Sequence, residues 1–457
     1  MIIGAYLELG IWLFKINHPM MPVQKREIFG WAMYDFANSA FATTILAVIF
    51  NQYFATVVAG GERGVEIFGF RLHGASFFTF TVSLSMAISA LFSPLLGAVA
   101  DASGSKKRFL MAFCLIGVLF TGLFYFIHEG DYWMGAIFFI IANIGFAEGN
   151  VFYNAFLPEI SDERDIGRIS GLGWALGYIG GGSLLAINLI MLKYPEGLGF
   201  PAGYFTVNDC FLSVALWWLI FSIPTFLFLR DRQKNGLPRG ERGYILQGYR
   251  RLRHTFRRVR TFKELTKFLL AFLIYNDGIE TVIVMASIFG ADVLGMKTNE
   301  IIVFFLMVQG IAFVGSLLFG FLADAIGSKR TVMISLGIWS LIVLWAFQLG
   351  IIWEPKTEFW ILGVLVALVL GGSQAASRSL QGLFTPDANS AEFFAFFGVS
   401  GKFASVFGPL IYGVLIAITG SVQSGVLSVL IFFVAGGILL WTVNEKKGRE
   451  EKQTPVF

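Results

Sequence analysis

The sequence predicts an all-α integral membrane protein: 12 transmembrane helices in two pseudo-symmetric six-helix bundles, with both termini in the cytoplasm. Three observations lead there. The 457 residues are 56% hydrophobic and only 14% charged, against about 25% charged in soluble domains. Apolar runs long enough to span a bilayer, about 20 residues each, recur along the whole chain. Finally, Gly97-Ala98-Val99-Ala100-Asp101-Ala102-Ser103-Gly104-Ser105-Lys106 returns as Gly320-Phe321-Leu322-Ala323-Asp324-Ala325-Ile326-Gly327-Ser328-Lys329, seven of ten positions identical at an offset of 223 residues. Duplicated halves of this kind are common among membrane proteins that alternate between two states.

Residues 1–28 form an N-terminal cytoplasmic segment. Met1 to Phe14 are apolar but lack a basic leader and a cleavage site, and are too short to span. Translation from Met20 or Met21, or a segment lying on the membrane surface, are both compatible with this stretch. The first bundle, 29–229, has its spans at 29–58, 75–100, 108–127, 132–156, 170–193 and 209–229. The second, 268–443, repeats the pattern at 268–292, 299–323, 331–352, 358–383, 394–418 and 421–443. Unbroken apolarity, rather than alternation, makes these helices and not barrel strands. Each decapeptide closes a second span of its half.

Between the bundles, residues 230–267 carry 13 Lys/Arg against three Asp/Glu, and the tail 444–457 is also charged. Lys106-Lys107-Arg108 and Lys329-Arg330 share that side by parity, so the positive-inside rule places both termini and the linker in the cytoplasm. The run from Tyr249 to Arg258 either binds anionic lipid head groups or simply sets topology. Nucleic acid is no partner, because the basic residues sit in short loops between apolar spans. Cys114 and Cys210 fall in different spans near opposite faces, which argues against a disulfide.

In the repeated loop, Gly97 and Gly320 permit close helix packing. Asp101 and Asp324 can meet a basic residue or a helix N-terminus across the interface. Gly104 and Gly327 supply the turns, and Lys106 and Lys329 anchor the basic face. The loop resembles the one between helices 2 and 3 of the major facilitator superfamily, Gly-x-x-x-Asp-Arg-x-Gly-Arg-Arg/Lys. Here Ala102 and Ala325 stand for the Arg, and Ser105 and Ser328 for the second basic residue. Trp31-Ala32-Met33-Tyr34-Asp35-Phe36-Ala37-Asn38-Ser39-Ala40-Phe41 and Tyr275-Asn276-Asp277-Gly278 are similar to the branch of fungal vacuolar amino-acid effluxers and their bacterial relatives. The resemblance implies alternating access around a midplane cavity lined by helices 1, 4, 7 and 10, in a multi-pass protein of the bacterial inner membrane.

Ionisable residues inside spans are costly and usually face a polar cavity. They fall on helices 1 (Asp35), 4 (Glu148), 7 (Asp277, Glu280) and 10 (Arg378), with Lys402 near the cytoplasmic mouth of helix 11. Counting from Pro158 and Pro386 puts Glu148 about 15 Å and Arg378 about 12 Å deep. They are then expected opposite one another. On this reading Arg378 holds a solute carboxylate in a bidentate fork, and Glu148 pairs with Arg378 when the site is empty. A permanent structural salt bridge is the alternative. Asp35, expected half-hydrated, would with Asn38 and Ser39 bind a solute amine or cap backbone. Asp277 and Glu280, one turn apart and flanked by Asn276, can share a proton. Asn154 and Gln374 extend the cavity, although Asn and Gln in spans often only join helices.

No phosphate-binding Gly-rich loop, His/Cys metal cluster or hydrolytic triad occurs, so neither a cofactor, a metal nor an enzymatic activity is expected. The expectation is a monomeric secondary active transporter of a small polar solute, an amino acid on the family resemblance, with protons as coupling ion. Sugar, nucleoside or drug carriage on the same scaffold, and a lipid-handling or sensor role, stay open.

Overall fold

Backbone N–H and C=O groups have no water to bond in lipid, so apolar runs of this length close their hydrogen bonds internally as helices. The computed structural model describes residues 22–67, 69–232, 249–250, 252, 262–403, 407–420 and 422–453. Among the described residues, 12 helices are long and apolar enough to cross a membrane. They are α1 Gln24–Val58, α2 Gly74–Ser103, α3 Lys106–Phe126, α4 Tyr132–Ile160, α5 Ile166–Lys193, α6 Val207–Phe228, α7 Lys263–Ala286, α8 Glu300–Ile326, α9 Ser328–Phe347, α10 Pro355–Phe384, α11 Asp387–Ile416 and α12 Val422–Trp441. A short helix, α13, follows at Glu445–Lys452.

Three details depart from the sequence expectation. The first helix begins at Pro22, not 29, and α7 begins at Lys263, so the expected linker 230–267 loses its last residues to helix. Most of that linker, and Met1 to Phe14, lie outside the described residues. A small antiparallel hairpin, β1 Val65–Ile67 and β2 Phe70–Leu72, pairs Val65 with Leu72 between α1 and α2. Its glycines, Gly64 and Gly69 among them, take positive φ, which favours a tight turn over continued helix.

Helix α1 contains π-helical turns at Phe41–Val48 and Phe54–Val58. Irregular turns of this kind often accompany functional sites. Buried aromatics dominate the core: Trp31, Trp218 and Trp339 are fully enclosed, and Phe50 stacks on Phe124 and Phe139. Large apolar side chains such as Leu91, Leu341, Ile438 and Trp441 stay exposed, as suits a surface solvated by lipid rather than water. Cys114 and Cys210 are both buried and unbridged.

Between the first six and last six helices, α2 and α4 lie on α11, and α5 lies on α8 and α10. The tail helix α13 packs against α7 and α10. Arg449 reaches Glu163 at 3.1 Å, Lys452 reaches Asp387 at 2.9 Å, and the Glu445 carboxylate accepts from the Lys329 amide at 3.1 Å.

Candidate functional site

The repeated loops join the first six helices to the last six by one device used twice. Asp101, at the end of α2, accepts the amide protons of Ala391 (3.2 Å) and Glu392 (2.9 Å), at the start of α11. Asp324, at the end of α8, accepts those of Gly167 (2.8 Å) and Arg168 (3.2 Å), at the start of α5, and the Arg168 Nε proton at 2.7 Å. A helix N-terminus leaves amide protons unpaired and carries partial positive charge, so each carboxylate caps a helix from the other six-helix set. The approach is close enough to require glycine: a Cβ on Gly97 would stand 2.6 Å from the Ala391 carbonyl oxygen, and one on Gly320 would stand 2.8 Å from that of Gly167. Gly104 and Gly327 turn the chain at φ 61° and 95°.

The two following lysines diverge. Lys106, expected on the basic surface, is instead buried, where it pairs with Glu159 and donates to Ser390 Oγ at 2.7 Å. Lys329 donates to the Trp441 carbonyl at 2.8 Å. A cavity of about 380 Å³ lies beneath the tail helix, lined by Glu163, Arg164, Asp324, Ser328 and Arg449. In the α4–α5 connection, burial raises the Asp165 carboxyl above its ordinary range; the hydrogen bond it accepts from the Asp162 amide acts the other way.

Deeper in, Arg378 on α10 is only 2% exposed. Its Nη1 donates to Asp35 Oδ2 on α1 (2.9 Å) and to Asn154 Oδ1 on α4 (3.2 Å). Its Nε and Nη2 meet the Ser170 hydroxyl (3.1 Å) and carbonyl (2.6 Å) on α5. Tyr153 donates its hydroxyl proton to the same Asp35 oxygen at 2.8 Å. The rings of Trp31, Trp174 and Tyr153 stand 4.9, 5.1 and 5.6 Å from the guanidinium carbon. Aromatic faces attract a desolvated cation. Gly173 makes room: a Cβ there would lie 2.7 Å from both Arg378 Nη2 and Asp35 Oδ2.

This arrangement corrects the expected Glu148–Arg378 pair. Glu148 and Asn154 are six residues apart on α4, about 240° around a helix of 3.6 residues per turn. Asn154 meets Arg378 on α10, and Glu148 points elsewhere. Depth alone was matched between the halves, and rotation decides the partner. Asp35 is likewise buried rather than half-hydrated, at 6% exposure.

Glu148 belongs to a second cluster, with Lys402 as its cation. Lys402 Nζ lies 3.2 Å from Glu148 Oε1, so Lys402 is deep in the fold and not at a mouth. The same carboxylate oxygen accepts hydrogen bonds from Ser89 and, at 2.5 Å, from Ser93. Lys402 also donates to Ser89 Oγ (2.5 Å) and Ser93 Oγ (3.2 Å). Glu148 Oε2 is buried without a hydrogen-bond partner. Both ion pairs cross between the first six and last six helices.

The remaining expected residues separate. Asn38 donates to Asn150 Oδ1 at 2.7 Å. Ser39 packs on α5, its hydroxyl 2.7 Å from where a Gly177 Cβ would sit. Gln374 accepts the Tyr178 hydroxyl proton. Asp277 accepts the Gly408 amide proton at 2.8 Å, tying α7 to α11, while Asn276 hydrogen-bonds Glu280. Sequence reasoning did not single out Trp31, Tyr153, Ser170, Trp174, Ser89 or Ser93 for this role. Ser85, Ser89 and Ser93 form an i, i+4 stripe on α2, a polar line on an apolar helix that was there to be read.

Comparison with known proteins identifies the family. A family described as "Vacuole effluxer Atg22 like" matches residues 23–453. The chain is 31% identical over 424 residues to the uncharacterized MFS-type transporter YxiO of Bacillus subtilis, covering 93% of this chain and 96% of that protein. It is 26% identical over 558 residues to autophagy-related protein 22 of Coccidioides immitis, covering 96% and 91%. The solved proton:xylose symporter XylE superposes with a TM-score of 0.68 at 13% identity, over 93% of this chain and 96% of that one. That last likeness speaks to fold alone.

Proposed function

We propose, since the chain belongs to the Atg22-like vacuole effluxer family of major facilitator transporters, that it is a secondary active transporter of a small zwitterionic solute, an amino acid being the best fit. The observation that carries this is the Asp35–Arg378 pair in its aromatic box, joining α1 to α10. Separating such a pair leaves two buried charges uncompensated, at a cost of about 3–5 kcal/mol. A zwitterion removes that cost by itself, its carboxylate going to Arg378 and its ammonium to Asp35 and the rings. A sugar or nucleoside has no charge to replace either partner.

In this reading helices 1–6 and 7–12 form two rocking bundles, 29–229 and 268–443, joined by the linker 230–267. The Asp101/Asp324 end is the cytoplasmic face of an inner membrane, with 1–28 and 444–457 beside it, and the structure corresponds to the state in which that face is shut. The loop residues Gly97, Gly104, Lys106, Gly320, Gly327 and Lys329 act as its gate. Proton coupling belongs to the proposal, with buried carboxylates as carriers.

The test is a thermal-shift screen of the purified protein against amino acids, peptides, sugars and nucleosides, followed by flux in proteoliposomes. Stabilisation by α-amino acids, lost in Arg378→Ala, is the expected result. Stabilisation by sugars or nucleosides that survives this change would refute the zwitterion assignment.

A further inference from the structure

We propose that Glu148, with Lys402 as its tethered counter-cation, is the proton site that controls opening of the Asp101/Asp324 end. The inference rests on the transporter reading above and deepens it by dividing two tasks between the two ion pairs.

In the Asp35–Arg378 pair, Asp35 Oδ2 already accepts from both Arg378 and Tyr153, and in the reading above a solute takes the place of one partner. The Glu148 cluster is built otherwise. Its carboxylate takes hydrogen bonds on Oε1, from Ser89, Ser93 and Lys402, and Oε2 is buried without a partner. A buried oxygen without a partner is uncommon and asks for an explanation; here it is an open position for a proton. When a proton from bulk water adds to Oε2, Glu148 becomes neutral. The attraction to Lys402 falls to that of an ordinary hydrogen bond, and no other group need change its charge. Hydroxyls both donate and accept, so Ser89 and Ser93 remain partners of the carboxyl in either form. Lys402 keeps its own proton and leaves with α11.

Geometry links this site to the gate. Lys402 lies on α11, the helix whose first amides, Ala391 and Glu392, are capped by Asp101. Ser89 and Ser93 lie on α2, the helix that ends in Asp101. The cluster and the cap are therefore two fastenings between the same two helices, eleven residues apart on α11, or about 16 Å. Titratable groups on the elements packed against α4 include Cys114 on α3, Tyr34 and Asp35 on α1, and, toward the capped end, Asp101 on α2, Lys106 on α3 and Glu392 on α11. Asp35 is already held by Arg378 and Tyr153.

The experiment uses the full chain carrying Arg164→Cys and Arg330→Cys, two exposed positions on opposite sides of the gate, spin-labelled for distance measurement; the native Cys114 and Cys210 are buried. Between mildly alkaline and mildly acidic pH, the parent is expected to gain a longer-distance population several-fold. Glu148→Gln should show that population at every pH, with the pH response lost, and Glu148→Asp should restore a response. A response that persists undiminished in Glu148→Gln, or a parent that never responds, overturns the proposal; so does a response to sodium at constant pH without one to protons. Amino-acid thermal shifts run on Glu148→Gln keep the two readings apart: shifts that survive while the pH response is absent from the parent would fail this inference and spare the zwitterion reading.

Discussion

Removing the cation from the Asp35–Arg378 pair should cost more than removing both charges together. Arg378→Met strips four hydrogen bonds, to Asp35, Asn154 and Ser170 twice, and a cation held among three rings. Asp35 then stays buried and charged, still accepting from Tyr153, so the loss is expected at about 3–5 kcal/mol. Asp35→Asn is milder, about 1.5–3 kcal/mol, because Arg378 keeps Asn154 and Ser170. The double variant buries no unpaired charge and should recover most of the loss, since apolar or neutral replacement of a buried pair is often near neutral. The coupling in a double-mutant cycle is then about 2 kcal/mol or more, read from reversible unfolding in detergent. Single changes that add to within about 0.5 kcal/mol would refute the reasoning, because independent sites behave that way. Flux makes the second half of the test: the double variant should be stable yet unable to move amino acids. Undiminished flux in it would mean that the pair is a strut and nothing more.

Other expectations follow from the same geometry. Asp101→Ala should speed hydrogen exchange at the Ala391 and Glu392 amides, and Asp324→Ala at those of Gly167 and Arg168, each leaving the other cap's amides protected; a lost cap of about 1–2 kcal/mol corresponds to roughly 5–30-fold. Gly173→Ala forces a methyl against Arg378 and Asp35 and should lower thermal stability by about 1–3 kcal/mol, whereas no loss would show that α5 shifts freely. Arg449→Ala cuts partly exposed pairs with Glu163 and Glu445 and should cost no more than about 1 kcal/mol for each. Burial raises the Asp165 carboxyl, so its contribution is intact below the ordinary carboxylate range and lost as pH rises through the raised value. Asp165→Asn should therefore gain in melting temperature at neutral pH and not in acid.

The number and order of the helices were legible because apolar length is a one-dimensional property. So was the pair of caps, where Asp101 and Asp324 stand in a repeat that marks itself. Pairing was not legible. Glu148 and Arg378 matched in depth, but which face of a helix meets which neighbour depends on rotation and on the tilt of α10 and α11, and neither is written in spacing from a proline. Lys402 lies deeper than a position near the mouth of helix 11 for the same reason, since its contact with Glu148 depends on how α11 sits against α4. Tyr153 and Trp174 escaped notice because aromatic residues in an apolar span look like packing until a cation is found among them.

The twin caps carry a lesson in symmetry. Asp101 reaches the beginning of α11 and Asp324 the beginning of α5, so one surface patch satisfies its own counterpart across a twofold axis, as in an isologous dimer. Such a seam needs a single recipe, not two matched ones, and any change tolerated in one copy is free to specialise while its twin keeps the contact. The unlike fates of Lys106, sunk against Glu159, and Lys329, turned toward the tail, are what that latitude looks like once a chain contains both partners of its own handshake.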